Sequence, residues 1–332
     1  MTFQPFKFAW LSGPRIRRLL ANRLLVTTAV VLAIVGVLLW RGLRAPSVGD
    51  PPARLSAAPS EGLNEAVSGH RLPFAASVVQ SIRRNGWATV TVHAALDDRR
   101  TDGKPTKSGD GDNPTHNLYW GARHGIETHL TKIAGWRRVY VDQGDGKRIV
   151  RRVVLQQRVK PTDAWRARGI NEPFDLYVLA NAWVSGEIVA AMEQPLRDAF
   201  ANQPLELVVE GRKLRFGADS TMVGYVGQNR MLDQYWDPFA GLDTTAATRQ
   251  MGVFYICPRS AVVLYSPVVS HGLYPVLFAR ESIVPEAYLL DGLLSAFAEG
   301  DLDKGFLTSA AAEYARFQKD VSPQRAGEML YR

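Results

Sequence analysis

Two short segments that are apolar on both faces constrain the fold of this chain most. Residues 87–96 (WATVTVHAAL) and 174–182 (FDLYVLANA) are rich in β-branched and aromatic residues and lack the strict polar–apolar alternation of a half-exposed strand. Strands of this composition are buried on both sides, as at the centre of a mainly parallel sheet covered by helices. The two segments therefore predict an α/β fold.

The rest of the chain continues this alternation from residue 73 onward. Helical patterns or capping signals predict helices at 74–84, 115–134, 185–200, 259–270 and 285–298, with one or two more in 302–331. In 115–134 the apolar residues Leu118, Ala122, Ile126 and Leu130 recur every four positions. Further strands are predicted at 136–141, 149–157, 205–209, 213–216, 221–226, 251–257 and 274–279. We expect one α/β domain, residues 73–332, whose mainly parallel sheet has helices on both faces.

A membrane anchor is predicted ahead of this domain. Residues 24–40 (LLVTTAVVLAIVGVLLW) are 17 residues without a charge, enough helix for a thin bilayer. Five basic residues precede the run within residues 1–23, which favours a cytoplasmic N-terminus and a periplasmic domain. The pattern thus predicts a single-pass protein of the bacterial inner membrane, held in the lipid bilayer by residues 24–40. A cleaved signal peptide is the alternative, but Arg41 and Arg44 stand where a small-residue cleavage site belongs.

Charge and linker composition separate the anchor from the domain. The net charge of +8 arises almost wholly from residues 1–44, which carry seven basic and no acidic residues. The remaining 288 residues are nearly neutral, which argues against a nucleic-acid partner. Residues 41–72 are rich in Pro, Ser, Ala and Gly, as in a flexible linker. With Cys257 as the single cysteine, no intramolecular disulfide can form.

Candidate binding residues follow from the position of polar side chains near the predicted strand ends. In parallel α/β sheets, ligands bind beyond the carboxyl ends of the strands. Asp97, Asp98, Asn181 and Glu281 occupy such positions and are the predicted binding residues. No nucleotide-binding glycine motif is present, and no cofactor is expected. The histidines of 115–134 lack a carboxylate or thiolate at ligand spacing, so no metal site is expected either.

Two further strand ends suggest a catalytic arrangement that is incomplete. The strand at 221–226 leads into Gly227 and Gln228, and the strand at 251–257 ends at Cys257. A strand ending in Gly-His followed by a strand ending in Cys is the arrangement of caspase-like cysteine peptidases, where the imidazole deprotonates the thiol. Here Gln228 occupies the histidine position. We expect the two strands to be parallel neighbours that bring Gln228, Cys257 and Asp97 or Asp98 to one edge.

Four motifs resemble those of an uncharacterised group of bacterial proteins. These motifs are Asn117-Leu-Tyr-Trp-Gly-Ala122, Tyr225-Val-Gly227 with Asp233, Cys257-x-x-Ser260 and Pro285-Glu-Ala-Tyr288. The group's pattern reads N-L-Y-W-G-A, Y-V-G-H-x-G-L-M-D, C-x-S and P-E-A-Y. The resemblance covers residues 88–300 and implies a caspase-like three-layer sandwich with Cys257 as the nucleophile. This chain departs from the pattern at Gln228, which replaces the histidine, and at Arg230, which replaces a glycine.

These observations predict a caspase-like domain without its general base. A glutamine amide cannot accept the thiol proton at neutral pH, so the domain is expected to be a non-catalytic binding or interaction module with a protein or peptide partner. The alternative is a cysteine hydrolase or peptidase in which Cys257 uses a base recruited from elsewhere, with His116 or His271 as the candidates. A third interpretation of Cys257 is a small buried strand residue.

Overall fold

The predicted alternation of strands and helices is present in the computed structural model, which describes residues 71–245 and 247–332. The strands of this range are β1 Trp87–Ala95, β2 Arg100–Thr101, β3 Lys104–Pro105, β4 Arg137–Asp142, β5 Ile149–Val159, β6 Phe174–Trp183, β7 Leu205–Val209, β8 Arg212–Phe216, β9 Met222–Val226, β10 Gly252–Ile256, β11 Tyr274–Ala279 and β12 Leu330–Tyr331. The α-helices are α1 Phe74–Asn85, α2 Ile126–Thr128, α3 Asp163–Ala167, α4 Ile188–Phe200, α5 Ser266–Ser270, α6 Ala287–Glu299, α7 Lys304–Phe317 and α8 Pro323–Met329.

Eight of these strands form one central sheet in the order β12-β11-β10-β9-β1-β6-β5-β4. The five strands from β11 to β6 run parallel, whereas β5, β4 and β12 are antiparallel to their neighbours. The chain starts at the central β1, moves to β6 on one side and returns to β9 on the other. The strand order therefore reverses at β1, and this is the point where such sheets form a ligand crevice.

Each face of the sheet is covered, as the apolar strands predict. On the first face, α1, α6 and α7 pack over the sheet around Val78, Leu290 and Phe306. On the second face, α4 packs over β1 and β9 through Leu196, and α5 packs against β11 through Val268. The β7–β8 hairpin covers β5 and β6 beside them. Removal of these apolar surfaces from water is the dominant driving force for the fold.

Most predicted elements are confirmed within two or three residues. The helix at 74–84 ends at Gly86, which has a left-handed backbone, as the Asn-Gly signal indicates. The strands predicted at 136–141, 149–157, 205–209 and 213–216 form and pair as the antiparallel β4–β5 and β7–β8 hairpins. The helix predicted at 259–270 is a π-helical turn, Ala261–Tyr265, followed by α5. The tail contains two helices, and β12 after them was not predicted.

The helix predicted at 115–134 is wrong for its first half. Residues 115–125 are a series of turns, followed by α2 and a π-helical turn, His129–Ile133. Asn117 stabilises a turn in place of the predicted helix, because its side-chain oxygen accepts the backbone N–H of Tyr119 at 3.1 Å. At Gly121 and Gly125 any Cβ would collide with nearby backbone atoms. Of the four periodic residues, Ile126 and Leu130 are buried in the core, while Leu118 and Ala122 are half-buried.

The predicted membrane span at 24–40 lies outside the described residues, as does the linker up to residue 70. No helix in the described part of the chain has the length and apolar character needed to cross a membrane. The last two linker residues belong to the domain. Leu72 forms a β-bridge with Arg249, and the guanidinium of Arg71 donates to the carbonyl oxygens of His271 and Thr244. The chain therefore enters the domain at the amino end of β10.

Candidate functional site

The carboxyl ends of β1, β9 and β10 meet at one edge of the sheet, as predicted. In the parallel register Val226 of β9 pairs with Ala94 of β1 on one side and with Ile256 of β10 on the other. A cleft of about 1080 Å³ opens at this edge, at the point where the strand order reverses. Asp97, Asp98 and Gln228 line the cleft.

Asp97 places a buried carboxylate at the floor of this cleft. Its side chain is only 4% exposed, and its Oδ2 accepts a hydrogen bond of 2.6 Å from Nε of Arg99, whose own side chain is 57% exposed. This hydrogen bond is the main cause of a raised pKa for the Arg99 guanidinium. The neighbouring Asp98 is more exposed and pairs with Arg100 at 3.0 Å. The two carboxylates thus have separate partners and do not form an acid–base pair.

Asn117 fixes the loop that carries the next cleft residue. Its Oδ1 accepts the backbone N–H of Asp97 at 3.1 Å, and its Nδ2 donates to the backbone oxygens of Asp97 at 2.9 Å and of Asp110 at 3.0 Å. A single buried amide therefore ties the turn at residues 115–125 to the end of β1. Asn117 belongs to a sequence motif, but its neighbours in sequence do not reveal this contact.

Gln228 is held by Tyr119, which belongs to the Asn117–Ala122 motif but is not one of the predicted site residues. Nε2 of Gln228 donates a hydrogen bond of 2.6 Å to the Tyr119 hydroxyl. Burial and the nearby charge of Asp97 raise the pKa of Tyr119, so its hydroxyl stays protonated at neutral pH. Gly227, which precedes Gln228, has a φ of +149°, a backbone region that favours glycine. The turn thus directs the amide towards Tyr119.

Cys257 has different surroundings from Gln228, although its strand ends at the same edge. Its side chain is completely buried among the apolar residues of the second face, with Tyr225, Tyr255 and Leu264 in the same core cluster. Burial raises the pKa of the thiol well above its usual range. Cys257 is absent from the lining of the cleft. A buried, protonated thiol of this kind lacks the thiolate character of a nucleophile.

The histidines proposed as replacement bases lie elsewhere. His271 stacks on Phe239 at a ring-centroid distance of 3.9 Å, and its Nδ1 is 2.8 Å from the carbonyl oxygen of Pro267. His116 is exposed on the loop before Asn117. Among the described residues, no hydrogen bond joins either imidazole to Cys257.

Two other histidines of the 115–134 segment form a pair, of which His129 is buried and His124 is half-buried. Nδ1 of His124 and Nδ1 of His129 are 3.4 Å apart, and Nε2 of His129 lies 3.3 Å from Asp291. Burial, together with the charges of His129 and Arg123, lowers the pKa of His124. In the described part of the chain, no three His, Cys, Asp or Glu side chains are grouped so as to hold a metal ion.

Two predicted binding residues are not in the cleft. Asn181 lies on β6 in register with His93 of β1, and its side chain contacts His93 and Arg152 on the second face. Glu281 forms an ion pair with Arg325 of α8. Neither residue lines the cleft.

The cleft walls contain exposed apolar side chains that the sequence did not identify. Val189, Leu232 and Val284 line the cleft and are 41%, 43% and 38% exposed. They come from α4, from the loop between β9 and β10, and from the segment before α6. Only the tertiary structure brings these three distant segments together. Such an apolar rim around a polar floor is typical of a binding surface.

Comparisons with known proteins provide no relative from which a role could be transferred. No protein-family profile matches the chain, and no curated protein or solved structure is significantly similar to it.

Proposed function

We propose that this protein is a membrane-anchored, non-catalytic binding module with a caspase-like domain, and that its ligand site is the cleft at the carboxyl edge of the sheet. One observation carries the proposal: the only thiol of the chain is buried in the core beside the cleft rather than in it. The residue in the position of the general base is a glutamine whose amide is bound to Tyr119.

The strand arrangement supports the caspase-like part of this proposal. The strand that leads to Gln228 and the strand that leads to Cys257 are parallel neighbours, and β1 lies on the other side of the former. This is the juxtaposition that the Gly-His and Cys strands need in an active member. The domain thus retains the framework of such a site without a base–thiol contact.

The cleft itself supports a binding role. It combines the buried Asp97 carboxylate with the exposed apolar side chains of Val189, Leu232 and Val284. Leu72, where the chain enters the domain, lies at the amino end of β10 and so at the opposite edge of the sheet. The linker therefore attaches away from the cleft. A protein or peptide segment with apolar side chains would bury the exposed walls.

Localisation is tested by a fusion. A reporter that is active only in the periplasm, fused after Arg332, should be active, and a cytoplasm-active reporter at the same position should be silent. The expectation comes from the cations before residues 24–40. The reverse pattern would exclude the periplasmic placement.

Catalytic silence is tested by thiol labelling and peptide hydrolysis on the full chain. Iodoacetamide should modify Cys257 only after denaturation, because the thiol is buried and its pKa is raised. Peptides with Lys, Arg or Asp should not be cleaved, since loss of a general base alone costs ~10²–10⁴ in rate. Rapid labelling of the native protein, together with cleavage that Cys257→Ala abolishes, would instead establish the cysteine hydrolase.

Binding is tested with a photo-crosslinking residue in cells. We expect a discrete adduct when this residue replaces Leu232 in the cleft wall. The matched control replaces Val208, which is 67% exposed on the β7–β8 hairpin and does not line the cleft. Equal adducts at both positions, or none at position 232, would argue against a binding cleft.

A further inference from the structure

A row of polar side chains crosses four strands on the second face of the sheet. His93 of β1, Asn181 of β6, Arg152 of β5 and Asp142 of β4 are successive register partners. Nε of Arg152 donates to Oδ1 of Asn181 at 3.0 Å, and one terminal nitrogen of Arg152 lies 3.5 Å from Asp142. The row continues through His93, whose Nδ1 is 3.5 Å from Nδ2 of Asn181.

The hydrogen-bond acceptors at the His93 end of this row already accept hydrogen bonds within the protein. Nδ1 of His93 accepts a hydrogen bond of 3.1 Å from the Trp183 indole, so the imidazole proton resides on Nε2 and is donated to Asp198 at 2.9 Å. The other oxygen of Asp198 accepts from Gln194 at 2.8 Å. Both ring nitrogens of His93 and both carboxylate oxygens of Asp198 are therefore engaged in hydrogen bonds.

A pocket of about 480 Å³ lies over His93, Asn181 and Arg152 of this row. It occupies the gap between α4, the start of the β7–β8 hairpin and the turn between β4 and β5. Asp145 of that turn also lines the pocket, but its Oδ1 accepts the backbone N–H groups of Lys147, Arg148 and Ile149. None of the residues that line this pocket lines the cleft at the carboxyl edge.

Three guanidinium groups line the pocket, and their donors exceed the acceptors around them. Arg152 is only 14% exposed and is oriented by Asn181 and Asp142. Its other terminal nitrogen has no hydrogen-bond partner among the described residues. Arg148 lies over the Trp183 ring at 5.0 Å, and Arg197 lines the opposite wall from α4.

The carboxylates paired with Arg148 and Arg197 hold them from outside the pocket. Nε of Arg148 donates to Glu187 at 2.9 Å, and a terminal nitrogen of Arg197 donates to Glu193 at 2.8 Å. Neither glutamate lines the pocket, so neither supplies an acceptor within it. The lining therefore presents oriented N–H donors and positive charge to whatever enters.

We infer that this pocket binds the oxyanion group, carboxylate or phosphate, of a small organic anion. A planar guanidinium with free donors matches such a group in geometry and charge. The volume suits a small ligand, and the side chains of Leu179 and Trp183 provide an apolar wall for its carbon skeleton. This site is separate from the cleft and does not depend on the proposed function.

The test is calorimetric titration of the full chain in non-ionic detergent, with inorganic phosphate and citrate as probes at constant ionic strength. We expect saturable binding of at least one probe at one site. Arg152→Gln should weaken it at least ~10-fold, because charge-assisted hydrogen bonds are lost. Arg316→Gln is the matched control, since Arg316 is an exposed arginine paired with Glu313 on α7. The affinity of this variant for the probe should be unchanged. Preference for one probe identifies the head group.

A second variant keeps the test decisive if Arg152→Gln fails to fold. Arg148→Gln removes a guanidinium that is half-exposed and outside the polar row, so folding should be retained. Weaker binding in Arg148→Gln alone would then support the site. Absence of saturable binding of both probes up to about 10 mM would overturn it. Wild-type affinity in every variant of Arg152 and Arg148 that folds would also overturn it.

Discussion

Strands β9 and β10 end side by side, yet the residues beyond them have opposite environments. Gln228 lines an open cleft and is bound to the Tyr119 hydroxyl. Cys257 is completely buried on the second face of the sheet. The reason is the alternation of side chains along a strand. Val226 and Ile256 are register partners, so their side chains lie on the same face of the sheet. Gln228 lies two positions after Val226, whereas Cys257 lies one position after Ile256.

Two strands that end at the same edge of a sheet therefore do not necessarily contribute to one site. A base and a thiol on neighbouring parallel strands meet only if their turns direct both side chains to the same side. Here the turn at Gly227 directs the amide towards Tyr119, while Cys257 continues the buried series of Val253 and Tyr255. Substitutions at positions 228 and 257 test whether the two environments differ in this way.

The largest difference is expected when the same amide is placed at both positions. Cys257→Asn should lower the free energy of unfolding by roughly 2–4 kcal/mol, because a buried amide without partners and the added core volume each cost about 1–3 kcal/mol. Gln228→Asn should cost less than about 1 kcal/mol, because the cleft is open to water. Urea unfolding of the two variants measures both values. Equal losses would contradict the contrast in burial.

A pH dependence should follow from the buried thiol. Because burial raises the pKa of Cys257, the unfolded chain releases the thiol proton first, and stability should fall as the pH rises above about 8.5, by up to about 1.4 kcal/mol per pH unit. Below that pH the thiol is protonated in both states and contributes no slope. Urea unfolding at pH 8 to 9.5 should show a shallower decline for Cys257→Ala than for the wild type. Identical slopes would mean that the thiol is accessible.

The hydrogen bond between Gln228 and Tyr119 should contribute less. A double-mutant cycle with Gln228→Ala and Tyr119→Phe should give a coupling energy of about 1 kcal/mol, the usual net value for one hydrogen bond. The same cycle with Cys257→Ala in place of Gln228→Ala serves as the control and should show no coupling. Additive effects of the first pair would mean that the amide is not held by Tyr119 in solution.

The smallest effect is expected when an imidazole is placed at position 228. Gln228→His should produce no hydrolysis of Lys, Arg or Asp peptides above background, because the thiol faces the core rather than the cleft. A continuous fluorogenic assay with the double variant Gln228→His and Cys257→Ala as the blank checks this. Activity that depends on Cys257 would show that the two side chains can meet, and the comparison above would fail.

Much of the fold was predictable because its signals are local. Residues 87–96 and 174–182 predict buried central strands from their apolar composition alone, and Asn85-Gly86 predicts the end of α1. The parallel pairing of β9 with β10 and the approach of Asp97 to Gln228 followed from rules of sheet topology. Apolar periodicity was misleading at 115–134, because Asn117 and two crowded glycines favour turns.

The parts that were not predictable depend on contacts between distant residues. The sequence is sufficient to place Cys257 after an apolar strand and Asn181 near another strand end. Which side of the sheet each side chain occupies depends on strand register, which is set by pairing across the sheet rather than by neighbours along the chain. The row of His93, Asn181, Arg152 and Asp142 exists only because β1, β6, β5 and β4 pair in one register. The contact between Gln228 and Tyr119 joins the turn after β9 to the loop at residues 115–125, which are far apart in the sequence. Local composition and spacing thus specify the strands and helices, whereas the surroundings of each polar side chain are specified by packing.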